Sequence, residues 1–158
     1  MVSKYGMGAM LVGAVALCGG CAETGGVSQA PRPEATATMT KSLYDRLGGK
    51  QAITAVVDQF VANVAADGRI NNRFATTDIP KLKGHLVDQV CQATGGPCQY
   101  QGRDMKGTHL GMKISSADFG ALVQDLVAAL DTFKVPAGEK GELLALLGPM
   151  KKDIVELP

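Results

Sequence analysis

The sequence predicts an all-α protein, and three observations carry that reading. Apolar residues recur at intervals of three and four along several stretches between Ile53 and Leu157, which places them on one side of a helix. Apolar and polar residues nowhere alternate over the length of a strand. The breaks between periodic stretches carry helix punctuation, with a capping residue or a proline before and paired glycines after.

Ser42-Leu43-Tyr44-Asp45 opens the folded part with a serine three residues before an acid, a helix start, and Gly48-Gly49 stops that short helix. Ile53, Val56, Val57, Phe60, Val61 and Val64 then form one apolar stripe that ends near Asp67-Gly68. Asp78 with Ile79-Pro80 supplies a cap and a first-turn proline for a helix bearing Leu82, Leu86 and Val90, ended by Gly95-Gly96-Pro97. From Pro97 to Gly107 no period is visible; this stretch reads as an extended loop with a short helical turn leading into His109. Ser115, three before Asp118, opens a helix carrying Phe119, Leu122, Val123, Leu126, Val127, Leu130 and Phe133 on one face. After Val135-Pro136, a last helix carries Leu143, Leu146, Leu147, Met150, Ile154 and Leu157, with a kink expected at Pro149.

Sixteen Lys and Arg against fifteen Asp and Glu give a formal net charge of +1, which offers no electrostatic reason to expect nucleic acid as a partner. Tryptophan is absent and aromatics are few, so the core must come from Leu, Val, Ile and Ala. The start of the chain is different in character. Lys4 precedes an apolar run from Met7 to Cys18 that falls short of the about 20 residues of a membrane-spanning helix. Residues 1–21 therefore read as an export signal. Its exit, Leu17-Cys18-Gly19-Gly20-Cys21, resembles a bacterial lipoprotein signal with Cys21 as the lipidated residue, although Leu17 lies one place too far upstream; simple cleavage and an uncleaved anchor stay open. Residues 22–41, rich in Ala, Thr, Gly and Pro, read as a flexible linker, leaving 42–158 as the folded domain. The expected location is the periplasmic face of a bacterial membrane, reached through a lipid anchor.

Two histidines and two cysteines of the domain could carry chemistry. His85 shares a helix face with Leu82 and Leu86, whereas His109 follows an irregular stretch. Each reads first as a histidine satisfied by a hydrogen bond, with axial ligation of haem iron as the rival, and spacing alone does not decide between them. Cys91 and Cys98 flank the Gly95-Gly96-Pro97 turn, and in an exported chain such a pair favours a disulfide over two buried thiols. Zinc ligation is a weaker rival, because the spacing matches no compact zinc pattern. Neither cysteine begins a Cys-x-x-Cys-His run, which argues against covalent c-type haem.

The surrounding residues add a resemblance. Ser42-Leu43-Tyr44-Asp45-Arg46-Leu47-Gly48-Gly49, Phe60, Phe74, Leu82-Lys83-Gly84-His85, Gly95-Gly96-Pro97, Tyr100, Gly102-Arg103-Asp104-Met105 and His109 together resemble the group I (N-type) truncated haemoglobins from Ser42 to Leu157. The resemblance implies a two-over-two helical sandwich around non-covalent haem b, with His109 as the proximal iron ligand and Phe74 packed on the porphyrin. It also implies that Phe60, Leu82, Leu86, Tyr100 and Met105 line the haem, and that Lys106 or Arg103 pairs with a propionate, the alternative being solvated loop charges.

On the distal side, implied to comprise Val61, Leu82, His85, Leu86 and Val90, this chain departs from the family's best-known pattern. Val61 stands where many relatives have a tyrosine and Leu86 where they have a glutamine, so two donors to bound dioxygen are missing. His85 matches a histidine that in some relatives closes the sixth iron position. The expected function is reversible binding of oxygen, nitric oxide or carbon monoxide with weak oxygen retention. The alternative is a bis-histidine redox protein acting in electron transfer or in reduction of peroxide or nitrogen oxides, served by an unknown reductase. Whether the chain is an enzyme stays open, with nitric oxide dioxygenase or peroxidase-like side activity as the candidates.

Overall fold

The computed structural model describes residues 41–157; the export signal with Cys21, residues 22–40 of the linker and Pro158 lie outside the described residues. Among the described residues seven α-helices follow in order: α1 (Leu43–Arg46), α2 (Gly49–Ala66), α3 (Ile79–Ala93), α4 (Met105–His109), α5 (Ser116–Thr132), α6 (Ala137–Leu147) and α7 (Lys151–Ile154). Among the described residues the only β feature is an isolated bridge between Ser115 and Leu157.

The caps form where the sequence places them. The Ser42 hydroxyl accepts from the Asp45 N–H at 3.1 Å, and the Asp78 carboxylate accepts from the Lys81 N–H at 3.1 Å. Ser115 and Asp118 close a reciprocal capping box at the start of α5. A 3-10 turn, Gly148–Met150, carries Pro149 and separates α6 from α7, which is the interruption expected there. A second 3-10 turn, Asn71–Phe74, has no counterpart in the sequence reading: four residues hold too little periodicity to announce themselves.

Helix α2 is the centre of the fold, packing on both α3 and α5. Its stripe residues Ile53, Val57, Phe60, Val61 and Val64 are buried and join Val87 and Cys91 of α3 and Ala121 and Ala129 of α5 in one core. A smaller cluster of Leu43, Leu130 and Leu143 ties α1 and α6 to the end of α5. Three stripe residues depart from the expected burial. Phe133, Leu146 and Leu157 are exposed: the first is the C-cap of α5, the second lies in the last turn of α6, and the third follows the end of α7.

Cys91, fully buried, is bonded to Cys98 across the glycine turn. Gly96 sits in that turn against α1: a Cβ there would come within 2.5 Å of the Tyr44 ring and 2.7 Å of the Cys91 sulfur. The backbone can pass between these groups only without a side chain. The Tyr44 N–H donates to the Thr94 carbonyl at 2.9 Å, so the end of α3 is fastened to the start of the domain.

Candidate functional site

Helix α3 needs a second apolar partner besides α2, yet Leu82, Leu86 and Val90 are only partly covered. They form one wall of a cavity of about 630 Å³, closed by α4, the Tyr100–Arg103 loop, Phe119, Leu122 and Leu126 of α5, and Met150 and Ile154 of the last segment. Phe119, Leu122, Val123 and Leu126 of α5 and Ile154 of α7, which sequence periodicity assigns to a core, thus line this space. Such volumes, with mostly apolar walls and few polar groups, are typical of cofactor sites.

Both histidines line the cavity. His109 ends α4, whose N-cap is Asp104, its carboxylate accepting from the Gly107 N–H at 2.7 Å. The Nδ1 atom of His109 lies 2.7 Å from the Met105 carbonyl oxygen. A carbonyl can only accept, so Nδ1 carries the proton and Nε2 keeps its lone pair free for a metal. His85 stands on α3 with the Tyr100 ring edge-on to it, centroids 6.0 Å apart at 72°. The Tyr100 hydroxyl donates to the Arg103 carbonyl at 2.9 Å, and burial pushes its pKa up. Its ring lies over Gly102, where a Cβ would fall 2.1 Å from the hydroxyl oxygen.

Of the residues expected at the site, Phe60, Leu82, His85, Leu86, Val90, Tyr100, Met105 and His109 line the cavity. Three do not. Val61 is buried in the core, and Phe74, at the end of the 3-10 turn, packs on the same core instead of on the cavity wall. Lys106 points out of α4 into solvent, while Lys81 and Arg103 are the cations on the lining. The sequence reading also missed Gln89, one helical turn beyond His85. Its amide donates weakly to the sulfur of Met150 at 3.2 Å, with that of Met105 at 3.7 Å, so it bridges α3 to the far wall. Its four-residue spacing from His85 was the available signal.

Comparison with known proteins agrees with this geometry. The family model described as Bacterial-like globin matches residues 42–156. A Group 1 truncated hemoglobin from Nostoc sp. (strain MUN 8820) is 36% identical over 114 residues, covering 72% of this chain and 97% of that protein. The crystal structure of truncated hemoglobin from Tetrahymena pyriformis in its Fe(III) form is similar with a TM-score of 0.70 at 30% identity, covering 73% of this chain and 98% of that one. The 2/2 hemoglobin from Synechococcus sp. PCC 7002, solved in the cyanomet state with covalently attached heme, gives a TM-score of 0.69 at 30% identity over 73% and 98% of the two chains. The helices have the two-over-two arrangement of these neighbours, and the chain belongs to the group 1 truncated haemoglobins of the bacterial-like globin family.

Proposed function

We propose that the protein holds haem b, non-covalently, in the cavity between α3, α4 and α5, and through it binds a small diatomic ligand. The observation that carries this reading is an imidazole, His109, whose Nε2 is left free by the bond from Nδ1 to Met105 and which lines an apolar cavity of about 630 Å³. The donor set fits haem. Phe60, Leu82, Leu86 and Leu122 offer the apolar walls a porphyrin needs, and Lys81 and Arg103 on the same lining match its two carboxylates. When bound, haem would be held by His109 and would supply an iron able to take up a small exogenous ligand. Cys91 and Cys98 are bonded to each other, which leaves neither thiol for haem attachment.

The chain's own residues set the ligand behaviour. Leu86 on the cavity wall and Val61 in the core donate no hydrogen bond. Losing a donor of about 1 to 3 kcal/mol speeds release of a polar ligand about 5-fold or more. Oxygen storage is therefore disfavoured relative to rapid exchange.

A second reading rests on His85, which lines the same cavity as His109. If both imidazoles ligate iron, the protein is a redox partner that exchanges electrons with a reductase. Absorption spectra of the purified ferric and ferrous protein test both readings: a six-coordinate low-spin ferrous spectrum favours the redox reading, a five-coordinate one favours gas binding, and no Soret band after haem addition overturns both.

We also propose that the chain is exported and anchored through lipidated Cys21 to the periplasmic side of a membrane. The Cys91–Cys98 disulfide supports an oxidising compartment.

A further inference from the structure

We infer that Glu156 is a positioning residue for His109, acting through the loop Leu110–Lys113; the inference rests on His109 being the iron ligand. This loop follows α4 directly. Gly111 and Lys113 both adopt the left-handed region, with φ of 80° and 52°, a conformation that costs a lysine free energy unless its surroundings hold it. Burial does not hold it, since Leu110 is 73% and Met112 40% exposed.

Hydrogen bonds do. The Gly111 N–H donates to one oxygen of the Glu156 carboxylate at 2.7 Å and the Lys113 N–H to the other at 2.5 Å. The Arg73 guanidinium donates to the Met112 carbonyl at 2.8 Å and to the Lys113 carbonyl at 3.5 Å, while also pairing with Asp118 at 2.9 Å. Glu156 is itself held in register. Its N–H and that of Leu157 donate to the Ile114 carbonyl at 2.9 and 3.1 Å, and the Ser116 N–H donates to the Leu157 carbonyl at 3.0 Å. The clamped loop reaches His109 because the Met112 N–H donates to the His109 carbonyl at 3.1 Å and the Leu110 N–H to that of Lys106 at 3.0 Å. A five-residue helix has no lateral stability of its own. The orientation of the His109 ring about its bond to Met105 is thus fixed by a carboxylate 47 positions further along the chain.

Two measurements on the full chain test this. In the cofactor-free protein, Glu156→Ala should raise amide hydrogen exchange at Gly111 and Lys113 at least about 10-fold, with Glu156→Gln, which keeps one carbonyl acceptor, in between. In the haem-loaded protein, in a His85→Ala background that opens the sixth position, Glu156→Ala should shift or broaden the ferrous iron–imidazole stretching band and change carbon monoxide association about 3-fold or more, while circular dichroism stays that of the parent. Unchanged exchange, or raised exchange with an unchanged band and rate in both Glu156 variants, overturns the inference. A His109→Ala variant that keeps the band overturns the ligand assignment instead, so the two failures are distinguishable.

Discussion

The Tyr100 ring meets the His85 imidazole edge-on, with centroids 6.0 Å apart and planes at 72°. Both residues line the cavity, so the contact sits in its wall. Removing His85 therefore reports on what the imidazole does there. His85→Ala should turn a six-coordinate low-spin ferrous spectrum into a five-coordinate high-spin one and speed carbon monoxide binding, because the ligand no longer waits for an imidazole to leave. A wild-type ferrous protein that is already five-coordinate sinks the bis-histidine reading.

His109 is expected to be indispensable. Partners that merely orient a metal ligand cost about 10- to 100-fold in affinity when removed, so His109→Ala should weaken haem binding by at least about 100-fold in a transfer assay to a competing haem acceptor. Retention at wild-type affinity places the ligand elsewhere.

Leu86 lines the cavity one residue after His85 and cannot donate a hydrogen bond. Leu86→Gln adds an amide of similar size. In the five-coordinate background it should slow oxygen dissociation about 10-fold, the effect of about 1.4 kcal/mol, with stopped-flow displacement as the measurement.

The disulfide closes a loop of seven steps between Cys91 and Cys98. By chain entropy it contributes about 2 to 3 kcal/mol, so reduction, or replacement of both cysteines by alanine, should lower the melting temperature by several degrees. Thiol titration of the denatured, unreduced mature domain should detect neither cysteine; two free thiols here contradict the bond.

Below neutral pH the α5 cap is the place to look. Hydrogen bonds from the Ser115 N–H and hydroxyl, aided by Arg73, hold the Asp118 carboxyl below its ordinary value of 3.8. A lowered folded pKa means that the stabilisation is present above that ordinary value and is lost as pH falls through the folded one. Asp118→Ala should therefore lower the melting temperature at pH 6, and the difference from wild type should shrink below about pH 4. A difference that persists unchanged at pH 2.5 assigns the effect to packing.

Much of the molecule was legible in the chain before any coordinates. The helices α2, α3 and α5 are announced by stripes such as Ile53–Val57–Phe60–Val64, and their starts by Asp78 and the Ser115/Asp118 pair, because caps and amphipathic faces are local: each is read within one or two turns. The same locality placed His85 with Leu82 and Leu86 on one face, and the pairing of Cys91 with Cys98 across the Gly95-Gly96-Pro97 turn.

Periodicity records that a residue is apolar, and it does not say whether that residue faces another helix or a cavity. Only tertiary structure decided that Val61 and Phe74 pack in the core away from the cavity, while Phe119, Leu122 and Leu126 line it. Only tertiary structure decided that Phe133 is exposed, and that Arg73 and Glu156 converge on a loop with no apolar anchor. Those contacts join residues 39 and 45 positions apart through single hydrogen bonds, which leave no repeating pattern in a sequence. Residue order sets what each helix can bury; the way the helices pack sets which carbonyls, carboxylates and imidazoles come within reach of one another.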